Sequence, residues 1–225
     1  MELYRVIDLS GADAVEFLQG QLTQDVARLD GAGRLLAAWC TAKGRVIVVA
    51  RLVATENGIA MIIPADILDK VHKTLLMYRF RSKVEMTISE GNRSRLLAPG
   101  ECDPLALIKA GIPQIDTRNT EVFTPHMLNL DKLDAISFTK GCYTGQEIVA
   151  RTEHRGKSKR RMMRYIANHD GIEVGADVSD GERNIGSVVN VVGRDLLAVT
   201  PIDRHDQALR VGGARIEPQR LPYSL

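Results

Sequence analysis

Polar and apolar positions alternate over residues 4–9, "YRVIDL", a period of two that predicts a strand. The period then changes. In "SGADAVEFLQGQLTQDV", Ala14, Phe17, Leu18 and Leu22 recur at helical spacing, with Ser10 as candidate N-cap. "RLLAAWCTAKGRVIVVARLVAT" reads as two apolar strands joined around Ala42-Lys43-Gly44, and "GIAMIIP" as a further strand. "ADILDKVHKTLLMYRF" is amphipathic, with Ile67, Leu68, Val71, Leu75 and Leu76 on one side, and "SKVEMTIS" follows as a strand. This region is therefore expected to be α+β with an antiparallel sheet.

Glycine and proline punctuate "EGNRSRLLAPGECDPLALIKAGIPQID", which leaves room for a short helix near residues 104–110. Beyond Arg164 the pattern shortens. "RYIAN", "IGSVVNVVG", "DLLAVTPI" and "ARIEP" are strand candidates separated by Asp170-Gly171, Asp180-Gly181 and Gly212-Gly213, which predicts a small C-terminal β-barrel or sandwich. The division falls into residues 1–155 and 156–225, with the basic stretch between them as a linker.

Composition changes this picture little. A chain of 225 residues with 44% hydrophobic and 26% charged residues is ordinary for a soluble globular protein. The start "MELYRVIDLSG" lacks a signal-peptide pattern, and the longest aliphatic run, "VIVVA", is far short of the roughly 20 residues of a membrane helix. Three scattered cysteines, Cys40, Cys102 and Cys142, suggest neither a disulfide framework nor a stable metal site. The expectation is a reduced, cytoplasmic protein. Charge is more informative. The net +2 conceals a run from Arg151 to Arg164 with seven basic residues and one acid, Glu153, which leaves −4 for the remainder.

The candidate chemistry lies in "SFTKGCYTGQEIVAR", residues 137–151. Thiol reactivity requires the thiolate, favoured beside cations and at helix N-termini. Cys142 follows Lys140 by two residues, and a helix is expected from Gly145–Gln146; Gly141 and Gly145 permit close approach of backbone or ligand. The alternative is a small cysteine packed into a turn. No histidine spacing marks a base: His126 and His154, nearest to the thiol, read as surface or turn residues.

"KGCYTGQE" with "IVAR" resembles the signature of the YgfZ family of folate-binding proteins. "GADAVEFLQGQLTQDV", "LLAAWCTAKGRV", "YRFRSKV", "AGIPQID", "FTPHMLNLDKLDAISFTKGCYTGQEIVAR" and "IEPQRLPYSL" resemble family segments in family order. The resemblance implies a fold like the glycine-cleavage T-protein, an aminomethyltransferase, with a C-terminal β-barrel around a folate channel. It implies a tetrahydrofolate-binding role that supports iron–sulfur enzymes, including tRNA-modifying ones and ones exposed to oxidative stress. By position it makes Cys142 the functional thiol. Lys140, Gly141, Tyr143, Gly145, Gln146, Glu147 and Arg151 would flank the ligand or hold the turn, with Arg151 pairing Glu147 at i, i+4. Tyr4 matches a folate-contacting aromatic in the first strand, whereas a second such position falls near Asp103, where no ring exists.

Against the family pattern the second subdomain is short, over about residues 50–103, with a block of several dozen residues missing near 98–103. The T-protein's catalytic carboxylate would fall a few residues after Gly44, where this chain has Val46, Ile47, Val48 and Val49. An apolar strand cannot hold a charged amine intermediate, so aminomethyl transfer is the disfavoured alternative. The other is weak tRNA contact through residues 151–164, a stretch that contains no aromatic for base stacking.

Overall fold

The computed structural model describes residues 3–89, 96–154 and 158–225. Eleven strands and five α-helices among these residues form an antiparallel sheet and a closed barrel. The sheet comprises β1 (Tyr4–Ser10), β2 (Arg34–Cys40), β3 (Val46–Thr55), β4 (Gly58–Pro64) and β5 (Glu85–Ile88), in the order β2-β3-β4-β1-β5. Every neighbouring pair is antiparallel, with Tyr4 opposite Pro64 and Leu36 opposite Arg51.

The alternation in β1 sorts its side chains between two faces. Ile7 and Leu9 join Val48, Leu52 and Met61 beneath α1 (Ala14–Gln21) and α3 (Leu68–Tyr78); a single turn, α2 (Leu29–Ala32), precedes β2. Val6 points the other way, with Val53, Ala60 and Ile62. Since β3 is covered on both faces, its sequence is a near-continuous apolar run rather than an alternation. Burying each of these aliphatic side chains is worth about 1.5–3 kcal/mol.

α1 is shorter than the helical spacing predicts. Ser10 ends β1 and does not cap the helix; Asp13 holds the N-cap position, and its carboxylate accepts the Lys83 N–H at 2.6 Å instead. α4 (Pro104–Lys109) is capped by Asp103, whose Oδ1 accepts the Leu105 N–H at 2.9 Å, with Pro104 at the start, where no N–H is needed. α5 (Gln146–His154) follows the glycine-bracketed motif.

The barrel runs β10-β11-β6-β9-β8-β7, from β6 (Arg160–Ala167), β7 (Asp177–Ser179), β8 (Asn184–Val192), β9 (Asp195–Pro201), β10 (Leu209–Val211) and β11 (Ala214–Gln219). Tyr165, Val188, Leu196, Leu209 and Ile216 fill it. β7 and β10, three residues each, are too short to show a period, and only closure of the barrel reveals them. The boundary expected at 155/156 lies outside the described residues. A further apolar cluster joins sheet and barrel, where Cys40, Val46 and Val49 meet Leu128, Leu130, Met162, Val189 and Leu197.

The basic stretch is not a linker throughout. Arg160, Arg161 and Arg164 belong to β6. Arg161 is buried and paired with Asp131, and Arg164 pairs with Asp195 at 2.9 Å. Three residues apart, Arg161 and Arg164 lie on opposite faces of the strand, and each meets a carboxylate because a guanidinium withdrawn from water is costly unpaired. No helix among the described residues is long and apolar enough to cross a membrane.

Candidate functional site

The motif loop is tied to the end of α1. Thr144 N–H donates to the Gly20 carbonyl at 3.3 Å, and Ser137 N–H to that of Thr23 at 2.9 Å. Lys140 is the central tie. Its Nζ donates to the carbonyls of Gln19, Leu22 and Gln24 at 2.7, 2.8 and 2.9 Å, which occupies all three of its N–H groups. A cation is favourable there because the last carbonyls of a helix lack partners. Nζ also lies 5.1 Å from the centre of the Tyr143 ring. Burial pushes the ammonium down to about 8, with Asp25 acting in the opposite sense. Burial pushes the Tyr143 phenol up, with a smaller contribution from Cys40.

Of the two glycines expected to permit close approach, Gly145 does so, against backbone, and Gly141 does not. Gly145 has φ +86°, and a Cβ there would lie 2.5 Å from the Thr41 carbonyl oxygen. Gly44 has φ +68°, and a Cβ would meet Ile148 at 2.9 Å. The β2–β3 hairpin turn and the start of α5 therefore interlock through two positions that only glycine fits. At Gly141 a Cβ would meet nothing within 4 Å.

Cys142 is thus held at both ends and exposed in the middle. It makes no hydrogen bond among the described residues, whereas the Cys40 thiol is sealed and pushed up to about 12 by burial. Gln146 is half-buried, and its N–H donates to the Tyr143 carbonyl at 3.1 Å. Glu147 and Arg151 pair on the exposed side of α5, a contact worth about 0.5 kcal/mol at most. His126, read above as a surface or turn residue, is buried: its Nε2 is 3.1 Å from Glu153 Oε2, and its Nδ1 has no partner. Among the described residues no group of three or more His, Cys, Asp or Glu side chains is placed to hold a metal ion.

Tyr4 lines a cavity of about 370 Å³ where β1, α4, residues 112–118 and β8 meet, within the roughly 300–1,000 Å³ range of small-molecule sites. Leu107, Ile108, Ile112 and Val191 give it apolar walls; Gln114, Asp116, Arg118 and Asn190 supply polar groups. Asn190 anchors the seam by accepting the Gln114 backbone N–H and donating to its carbonyl, both at 2.8 Å. The Gln114 side-chain amide donates to the Pro113 carbonyl at 3.0 Å, while its Oε1 is buried without a partner. Arg51 lies over the Tyr4 ring at 5.1 Å. Burial raises the Tyr4 phenol, with Arg51 opposing it. None of the motif residues lines this cavity.

These walls fit a pterin: an aromatic face for a flat heterocycle, and an unpaired buried acceptor for its ring N–H donors. Sequence reasoning identified Tyr4 alone of this set. Gln114 falls within the family-like AGIPQID segment without being singled out there, and Asn190 lies in none of the family-like segments; what distinguishes the two is their mutual hydrogen bonding across 76 residues.

With this geometry established, comparison with known proteins is decisive. No family model matches the chain. An uncharacterized protein of Haemophilus influenzae is 31% identical over 99% of this chain and 96% of its own length. The tRNA-modifying protein YgfZ of Yersinia pestis is 29% identical over 99% of this chain and 91% of its own. The chain belongs to the YgfZ family. The Yersinia alignment runs to 303 positions against 225 residues here, so this member of the family lacks residues that its relative has. The fold is that of the aminomethyltransferase T-protein: the glycine cleavage system enzyme from Bartonella henselae superposes with a TM-score of 0.70 at 14% identity, over 97% of this chain and 83% of that one.

Proposed function

We propose that this chain is a tetrahydrofolate-binding protein of the cytoplasm that supports assembly or repair of iron–sulfur enzymes, tRNA-modifying ones among them, through Cys142. The supports are family membership, the T-protein-like fold and the Yersinia relative's name as a tRNA-modifying protein. The observation that carries the reading is the Tyr4 cavity with its unpaired Gln114 Oε1. Tetrahydrofolate carries one-carbon units. In this chain Tyr4 would stack on the pterin and Gln114 would accept one of its N–H groups, while Arg118 at the cavity wall is already paired with Asp116. The motif residues would then act by holding the Cys142 loop in place for a client.

Two alternatives are weaker. Aminomethyl transfer needs an acid after Gly44, and Val46, Ile47, Val48 and Val49 are buried in the core. A phosphate grip along residues 151–164 loses Arg151, Arg161 and Arg164 to carboxylates.

Calorimetric titration with tetrahydrofolate is expected to give saturable binding that weakens about tenfold in Tyr4→Ala, the value of one lost aromatic stack. Absence of any binding would end the folate reading. Complementation of a strain lacking its own family member tests the thiol separately. Wild type should rescue and Cys142→Ser should not, whereas equal rescue makes the thiol structural.

A further inference from the structure

Between His72 and Lys83 the chain carries Lys73, Arg79, Arg81 and Lys83 and no acidic residue. This stretch forms most of α3 and the turn into β5. Val71 and Leu75 face the core, but Leu76, Met77, Tyr78 and Phe80 are exposed, Phe80 by 86%. Phe80 also has φ +43°, a left-handed conformation costing a bulky residue about 1–3 kcal/mol, with no burial to offset it. A glycine or asparagine would turn the chain there with less strain, so the ring has no structural reason to occupy that position.

The platform is firmly rooted. Tyr78 meets buried Trp39 edge-on, with ring centres 5.9 Å apart. The Arg81 guanidinium lies over the Phe80 ring at 5.8 Å, which leaves most of that ring open. Among the described residues none of Lys73, Arg79, Arg81 and Lys83 has an ion-pair partner, unlike Arg151, Arg161 and Arg164.

An exposed aromatic ring among unpaired guanidinium groups, with no carboxylate in the stretch, suits a partner that is flat-faced and polyanionic. Unpaired nucleotides have both properties: bases stack on the ring and phosphates meet the cations. We infer that the surface formed by Tyr78, Arg79, Phe80, Arg81 and Lys83 binds a single-stranded segment of RNA, with a base stacked on Phe80. A duplex offers no free base face and is the poorer ligand. An acidic polypeptide would use the charge but not the ring.

Fluorescence anisotropy with a labelled unstructured RNA oligomer tests this across a salt series. The wild type should bind, and Phe80→Ala should lose about tenfold or more in affinity with the salt slope unchanged, as expected for one lost stack. Phe80→Tyr should retain affinity. Arg79→Gln and Arg81→Gln should each flatten the slope of log K against log salt by about 0.7. Lys159→Gln, on the other basic stretch, should change little. A DNA oligomer of the same sequence separates a stacked base from recognition of ribose. Phe80 does not line the Tyr4 cavity, so tetrahydrofolate binding by Phe80→Ala should match wild type, keeping this inference separable from the folate reading. The inference is overturned if wild type binds no RNA at low salt, if duplex binds as well as single strand, if Phe80→Ala and Lys159→Gln behave alike, or if polyglutamate competes as effectively as RNA.

Discussion

The loop from Ser137 to Arg151 and the cavity beside Tyr4 are opposites in how they are written. The loop is one contiguous, distinctive string, and most of its residues have internal partners: Lys140 on three carbonyls, Gly145 against Thr41, Tyr143 in the core. Its product is a single exposed sulfur. The cavity is assembled from five distant segments, of which the sequence marks Tyr4 and the AGIPQID stretch, and it presents an aromatic wall and an unpaired buried acceptor. A conspicuous motif can therefore be mostly scaffold, while a cavity with an unpaired acceptor is drawn from segments that no single string announces.

The strongest way to break that contrast is Lys140→Met. If the lysine is scaffold, three carbonyls lose their donor, and the protein should lose about 3 kcal/mol, roughly 6–12 °C in a thermal melt. An unchanged melt would return Lys140 to the ligand side. Gly145→Ala comes next, at about 2 kcal/mol or more, because the methyl would meet the Thr41 carbonyl at a positive φ. Urea unfolding measures it.

For the cavity, Gln114→Leu removes the unpaired acceptor. Tetrahydrofolate affinity should fall about tenfold with stability changed by less than about 1 kcal/mol, the reverse of the Lys140 pattern. The thiols provide a finer test. In the native protein iodoacetamide should label Cys142 and spare Cys40 until unfolding, as read by peptide mass. Burial raises the Cys40 thiol from 9.0 to about 12, so the folded state keeps a proton that the unfolded chain releases. Its contribution is present below pH 9 and is lost as pH rises from 9 to 12; Cys40→Ala should flatten that decline in denaturant unfolding. Smallest of all, Cys142→Ser should change stability by no more than about 0.5 kcal/mol.

Much of the architecture was legible locally. A period of two marked β1, apolar runs bounded by turns marked β2 to β4, and a period of 3.6 marked α3, while the Ala42-Lys43-Gly44 turn fell where the hairpin reverses. Errors arose where local cues competed with distant partners. Ser10 looks like an N-cap, but pairing with Glu85 keeps it in β1. His126 looks like a turn residue, but Glu153 and Arg161 converge on it from elsewhere in the chain.

Periodicity, turn residues and the KGCYTGQE string act over a few residues, so they are present in the primary order of the chain. They were enough for an α+β sheet, a C-terminal barrel, a family resemblance and a candidate thiol. Burial of Arg161 against Asp131, the tie of Lys140 to the end of α1, the Gly44–Gly145 interlock and the Gln114–Asn190 seam each join residues 30 to 121 positions apart. Only the packed chain could settle these, because the partner that satisfies a buried charge or carbonyl is chosen by the whole core closing at once.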